Sequence, residues 1–317
     1  MKTQQADSLG RDAALRPPRI PRPRDVVPII WLNLVCLDAP LVAIVWLWLF
    51  ARTFRVPFQI GNGLALLLTA WLIYLADRFA DASTLKPGLP RSLRQDFCLQ
   101  HRELWIVMIA LVAGFDAYVI WRTTALQTFL AGAVVGLVAV IYLVVNHPLG
   151  LVWRSLPAKE LAIGVLFALG TIVALLPGIP TTPAFLFAAL GFAGLCSLNC
   201  VSIASWERDL DRAQEKVSIA TRHPSVARYV RHVCVILALA SFGSAMVVRS
   251  AAPVFVCGGA SALLLIGLNA SPIFKEGRFF NRPRRLKNRR SLSVDQRTAL
   301  ADLVLLTPIA ALIVTAL

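Results

Sequence analysis

Polar residues interrupt this chain so seldom that its pattern is set by the apolar runs between them. Long runs lie at 27–51, 57–80, 104–121, 127–146, 157–176, 183–206, 229–248, 252–270 and 298–317. Each approaches the roughly 20 residues that an α-helix needs to cross a bilayer. In lipid, a helix satisfies its own backbone hydrogen bonds, so the pattern predicts an all-α polytopic membrane protein with nine transmembrane helices. Residues 1–26 are basic and proline-rich and read as a disordered tail against lipid headgroups. Residues 27–317 read as one transmembrane domain. Three connections are long (82–103, 207–228 and 271–296), whereas those at the other ends are short, such as Pro177-Gly178-Ile179-Pro180.

Composition agrees with the pattern. The chain is 57% hydrophobic and 15% charged, with a mean hydropathy of +0.69. A net charge of +15 by itself would admit a nucleic-acid role. Its placement argues against one. Of 32 Lys and Arg, only Arg52, Arg55, Arg122 and Arg249 fall on one side, and the other 28 share the opposite side. That asymmetry is the positive-inside rule, which puts the N-terminus and the long loops in the cytoplasm and the C-terminus outside. The first apolar run is too long for a signal peptide and lacks a small-residue cleavage site. The expected address is a bacterial inner membrane. Six cysteines form no CxxC pair and read as small buried apolar residues.

Charge returns in one repeated pattern, acid-Arg-x-x-acid-x-x-x-x-Lys. It occurs from Asp77 through Asp81 to Lys86 and from Glu207 through Asp211 to Lys216, each matched pair 130 residues apart. Both copies end a run that enters the cytoplasmic side. Four spans separate them, so spans one to four and five to eight read as two parallel pseudo-repeats about an axis along the membrane normal, with span nine extra. Such an axis would face the two motifs across a central cavity. An i,i+4 spacing puts both acids of a pair on one helix face. Carboxylates at a helix C-terminus oppose the helix dipole and ask for a cation, which basic side chains or a divalent metal would supply. Magnesium takes one or two carboxylates together with phosphate oxygens, so Asp77, Asp81, Glu207 and Asp211 are candidate ligands for a metal-bound diphosphate.

Lys86, Arg91, Arg94, Lys159 and Lys216 are candidate partners for the phosphate oxygens, with snorkelling or topogenic charge as the alternative role. Arg78 and Arg208 are expected on a neighbouring face, against headgroups. Asn33, Asp38, Asp116, Asn146, Asn269 and Asp302 are polar residues within spans, either structural or functional.

On these motifs the chain resembles the UbiA superfamily of intramembrane prenyltransferases. Those proteins have nine transmembrane helices, an NDxxDxxxD motif after helix two and a DxxxDxxxD motif after helix six. Asp77 and Asp81 match the last two acids of the first motif, and Glu207 and Asp211 the last two of the second. The stretch from Lys216 to Ala220 and the segment from Leu156 through Lys159 and Glu160 to Gly170 are similar as well. Ile73 and Tyr74 replace the leading Asn and Asp of the first motif. Asn199 or Cys200, then Ile203, replace leading acids of the second. The resemblance implies Mg2+-dependent transfer of a prenyl group from a prenyl diphosphate to an aromatic or other lipophilic acceptor. Tyr74 and Asn199 would contact substrate, and Tyr74, Tyr142, Trp153 and Trp206 are candidates to shield an allylic cation. A non-catalytic UbiA-like protein and, from paired membrane acids, a small-molecule transporter are the alternatives.

Overall fold

In a computed structural model, residues 28–144, 159–270 and 292–316 are described. The regular elements are α1 (Pro28–Leu34), α2 (Asp38–Thr53), α3 (Ile60–Ser83), α4 (Leu93–Gln100), α5 (Arg102–Thr123), α6 (Leu126–Val144) and α7 (Lys159–Val173). They continue with α8 (Pro183–Ala213), α9 (Ile219–Arg222), α10 (Val226–Val247), a 3-10 turn at Arg249–Ala251, α11 (Ala252–Ala270), α12 (Val294–Leu303) and α13 (Pro308–Ala316). Among the described residues, seven segments are long and apolar enough to cross a membrane: α3, α5, α6, α8, α10, Arg249–Ala270 and Val294–Ile313. The chain is thus an all-α, multi-pass membrane protein. Its outward faces are apolar, with Leu111, Trp121, Leu126 and Leu190 exposed, as a lipid-facing surface requires.

Two expected spans depart from this pattern. The run at 27–51 is not one helix. Cys36 adopts φ 59°, which ends α1 and starts a new helix at Asp38. Asp38 opens the new helix: its carboxylate accepts from the Ala39 amide at 3.0 Å and from Asn33 Nδ2 at 2.6 Å. A buried acid is favoured at this helix N-terminus, and Pro40 is tolerated in the first turn. The described helix of the run at 157–176 has 15 residues, fewer than a full span. The final run starts earlier than expected, at Val294, and breaks at Val304–Thr307 before Pro308. Buried Trp46 donates to the Leu305 carbonyl at 2.8 Å and so satisfies a group left free by that break. The tail, Asn146, Trp153, the start of the 156–170 segment and most of the 271–296 loop lie outside the described residues.

The helices form a ring. Helix α2 touches α3, α3 touches α5, α6 touches α7, and α7 packs against both α2 and α8. Helix α8 meets α10 and α11, and α11 returns to α2. The core sits between α2 and α8, where Trp46 stacks on Phe192 with ring centroids 4.4 Å apart and Phe50 meets Phe185 edge-on. Helices α7 and α8 approach so closely that a Cβ on Gly164 would lie 2.2 Å from the Ser197 backbone nitrogen. Between α3, α6 and α7 the packing leaves a cavity.

Candidate functional site

Helix α3 runs uninterrupted until Thr84, so Asp77 and Asp81 occupy its last two turns on one face. Helix α8 begins with Thr182, whose side chain accepts from the Phe185 amide, and Pro183 follows in the first turn. It then continues through the expected end at 206 to Ala213, which places Glu207 and Asp211 in its last two turns. All four carboxylates line one cavity of about 490 Å³. Lys159, Glu160 and Lys216 border the same end. The rest of the wall is largely apolar and runs along α3, α6 and α7.

The two motif loops hold each other's charges. Lys216, from the second copy, pairs with Asp81 of the first. Arg94, from the loop after the first copy, places Nη2 2.6 Å from both oxygens of Glu207, and the Thr298 hydroxyl donates to the same carboxylate at 3.1 Å. Between these pairs lies a reciprocal amide pair: Gln214 Nε2 donates to Gln95 Oε1 at 2.9 Å and Gln95 Nε2 donates to Gln214 Oε1 at 3.2 Å. Gln95 also donates to Asp81 at 2.9 Å, and Gln214 to the Pro90 carbonyl at 2.7 Å. Each loop is set by a capped helix. Ser92 and Gln95 form the capping box of α4, and Ser218 and Thr221 that of α9.

Several expected partners lie elsewhere. Lys86 does not line the cavity. It is 71% exposed and pairs with Glu215 at 2.6 Å, a contact worth little in water. Arg91 turns to Asp96 at 3.8 Å and is also absent from the wall. Partial burial raises the Asp96 carboxyl above its ordinary value, and Arg91 pulls it back. Asn199 faces a side pocket of about 20 Å³, the space of one water, and donates to Asp302 at 2.7 Å. Tyr74 borders both spaces, and Tyr142 lines the main cavity. Trp206 packs away from the cavity, with Nε1 on Asn269 and the Arg297 guanidinium over its ring. Arg78 lines the cavity rather than facing headgroups, and its Nε is buried without a hydrogen-bond partner among the described residues. Its repeat counterpart Arg208 sits 3.6 Å from neighbouring Asp209.

Residues that sequence reasoning did not single out complete the end wall. Gln95 and Gln214 are uncharged and carry no periodic signal. Glu160 is buried. One of its oxygens accepts from the Ile219 amide at 3.2 Å, and the other has no partner among the described residues. An acid in the first turn of an apolar run was its only mark. Of the acids within spans, Asp302 borders the cavity, Asp116 accepts from Thr69 at 2.8 Å, and Asp38 accepts from Asn33 and the Ala39 amide in the first turn of α2.

The mouth of the cavity therefore combines five carboxylates (Asp77, Asp81, Glu160, Glu207 and Asp211) with four bases (Arg78, Arg94, Lys159 and Lys216). Such a mouth suits a polyanion accompanied by cations, and the apolar interior suits a hydrocarbon tail. No family model, curated protein or solved structure matches the chain.

Proposed function

We propose that this chain is a UbiA-like membrane prenyltransferase, a nine-span bundle of two four-helix pseudo-repeats plus one helix, with its acidic mouth on the cytoplasmic side of a bacterial inner membrane. One observation carries the reading. The acid pairs of two matched motifs, on two separate helices, converge on the mouth of one deep apolar cavity. A prenyl diphosphate has the matching form, a polyanionic head on a hydrocarbon tail.

The donor set fits magnesium. Asp77 with Asp81, and Glu207 with Asp211, offer hard oxygen ligands in i,i+4 pairs, and each pair leaves coordination positions for phosphate oxygens. When bound, magnesium supplies Lewis-acid neutralisation of the departing diphosphate. The protein's own groups do the rest. Lys216, Arg94 and Lys159 present N–H donors at the mouth, where they would hold phosphate oxygens. Arg94 and Lys216 would leave Glu207 and Asp81 as phosphate enters. The apolar wall below the mouth excludes water from an allylic cation, and Tyr74 and Tyr142 offer electron-rich faces there. An aromatic or other lipophilic acceptor would enter the same space.

A second reading has its own support. Ile73 and Ile203 stand in the cavity wall where the motifs of the resembled family carry polar ligands, and protein bases already neutralise Asp81 and Glu207. A non-catalytic protein that binds a phosphorylated lipid would share this mouth. The test is magnesium-dependent binding and consumption of prenyl diphosphates by the purified protein and by Asp81→Asn and Asp211→Asn. The transferase reading expects binding and turnover in the wild type and loss of turnover in both variants. Binding without consumption moves the assignment to the second reading. Equal binding by all three proteins, unchanged by EDTA, removes the metal site.

A further inference from the structure

The cavity has a measurable depth. On α3 its wall runs from Asp77 to Asn62, on α6 from Tyr142 to Thr128, and on α7 from Lys159 to Ala174. At about 1.5 Å of rise per residue, the three helices give depths of roughly 22, 21 and 22 Å. Polar groups stand at the far end. Asn62 Nδ2 reaches the Ala174 and Leu176 carbonyls at 3.1 and 3.4 Å, and the Thr128 hydroxyl donates to the same Leu176 carbonyl at 2.9 Å. Asn62 is buried and its Oδ1 has no partner among the described residues, so the floor is polar where the walls are not. An apolar chain stops at such a floor because extending onto it would bury unsatisfied oxygen.

We infer that the cavity is a length gauge for an isoprenoid tail of about twenty carbons, with Gly136 and Gly132 of α6 marking its successive depths. The diphosphate head rests on the function proposed above; the gauge rests on the cavity. Four chain bonds of about 1.5 Å advance an extended isoprene unit by roughly 5 Å, so about 22 Å holds four units. Volume sets an upper bound of the same order, since the cavity also includes the charged mouth. The cavity of about 490 Å³ is some three times the roughly 150 Å³ that holds one six-carbon benzene ring. Gly136 lies six residues from Tyr142, or about 9 Å down, and Gly132 ten residues, or about 15 Å. A Cβ at Gly136 meets no atom within 4 Å, and one at Gly132 meets only Val173 Cγ1 at 3.9 Å. A larger side chain at either position grows into the cavity without striking backbone. Gly136→Phe should shorten the gauge to about two units and Gly132→Phe to about three.

Native mass spectrometry of protein released from micelles tests this with geranyl, farnesyl and geranylgeranyl diphosphates and with the three matching prenols. Wild type should hold the twenty-carbon ligand at least about tenfold more tightly than the ten-carbon one. Gly136→Phe should lose that preference and keep the ten-carbon ligand, and Gly132→Phe should keep the fifteen-carbon one. Gly114→Phe, on α5 outside the cavity and also with open space around its Cβ, should match wild type and so controls for insertion of a bulky side chain. Twenty-carbon binding within about twofold of wild type in both glycine variants would overturn the gauge, as would no binding of any prenol or diphosphate. If the prenols follow the glycine dependence while no diphosphate binds, the gauge stands and the proposed head chemistry falls.

Discussion

Arg94 and Glu207 offer the sharpest test of how the two halves are joined. Their side chains are 15% and 12% exposed, and a single guanidinium nitrogen contacts both carboxylate oxygens at 2.6 Å. Arg94→Met keeps much of the volume and removes the charge, leaving Glu207 only the Thr298 hydroxyl. Breaking a fully buried pair costs about 3–5 kcal/mol, and a charge-assisted hydrogen bond contributes about 1.5–3. Residual exposure places this pair near the lower range, so Arg94→Met should cost about 2–3 kcal/mol and Glu207→Met about 2. The double variant, Arg94→Met with Glu207→Met, leaves no orphaned charge and should lie within about 1 kcal/mol of wild type. The coupling is therefore at least about 3 kcal/mol. Reversible unfolding in mixed micelles, followed by steric trapping, measures all four corners of the cycle. A double variant whose loss equals the sum of the two single losses, within about 0.5 kcal/mol, would refute the pairing.

Further expectations follow from other parts of the structure. Gly164→Ala should destabilise by about 1–3 kcal/mol, because its Cβ would meet Ser197 backbone at 2.2 Å; unchanged resistance to denaturant would count against that packing. Trp46→Phe should cost about 1 kcal/mol or more in the same unfolding assay, since it orphans the Leu305 carbonyl; a neutral result would mean that water or another group replaces the indole. Cysteines introduced at Ser83 and Ala213 should react with a membrane-impermeant maleimide from the same side, and that side should be cytoplasmic. Labelling of the two from opposite sides would break the shared mouth.

The four acids could be read from the sequence because i,i+4 spacing fixes a helix face whatever the helix packs against. Lys216 could be read as well, although its resting partner, Asp81 of the other copy, could not. Lys86 holds the matching place in the repeat yet points to solvent, because loop direction is set by turns and caps and not by the count of residues. The reciprocal contact of Gln95 and Gln214 left no trace, since a neutral amide in a polar loop has no periodicity. Hydropathy located the seven segments long and apolar enough to cross a membrane among the described residues, but was blind to the breaks at Cys36 and Val304. Both breaks are backbone events inside unbroken apolar sequence. The depth of the cavity was hidden for a related reason: small residues such as Gly132, Gly136 and Ala139 look alike whether they face a neighbouring helix or a void.

The crossed pairing of the loops also has a meaning in time. Asp81 and Lys216 stand 135 residues apart in the chain, and Arg94 and Glu207 stand 113 apart. At about 5–20 residues per second of synthesis, the first acid waits roughly 7–27 seconds for its base. Through that interval α3 sits in the membrane with Asp81 lacking its base, while Gln95 of the same half is already at hand. The first half of the protein therefore passes through biogenesis without a finished mouth, and the second half completes it on arrival.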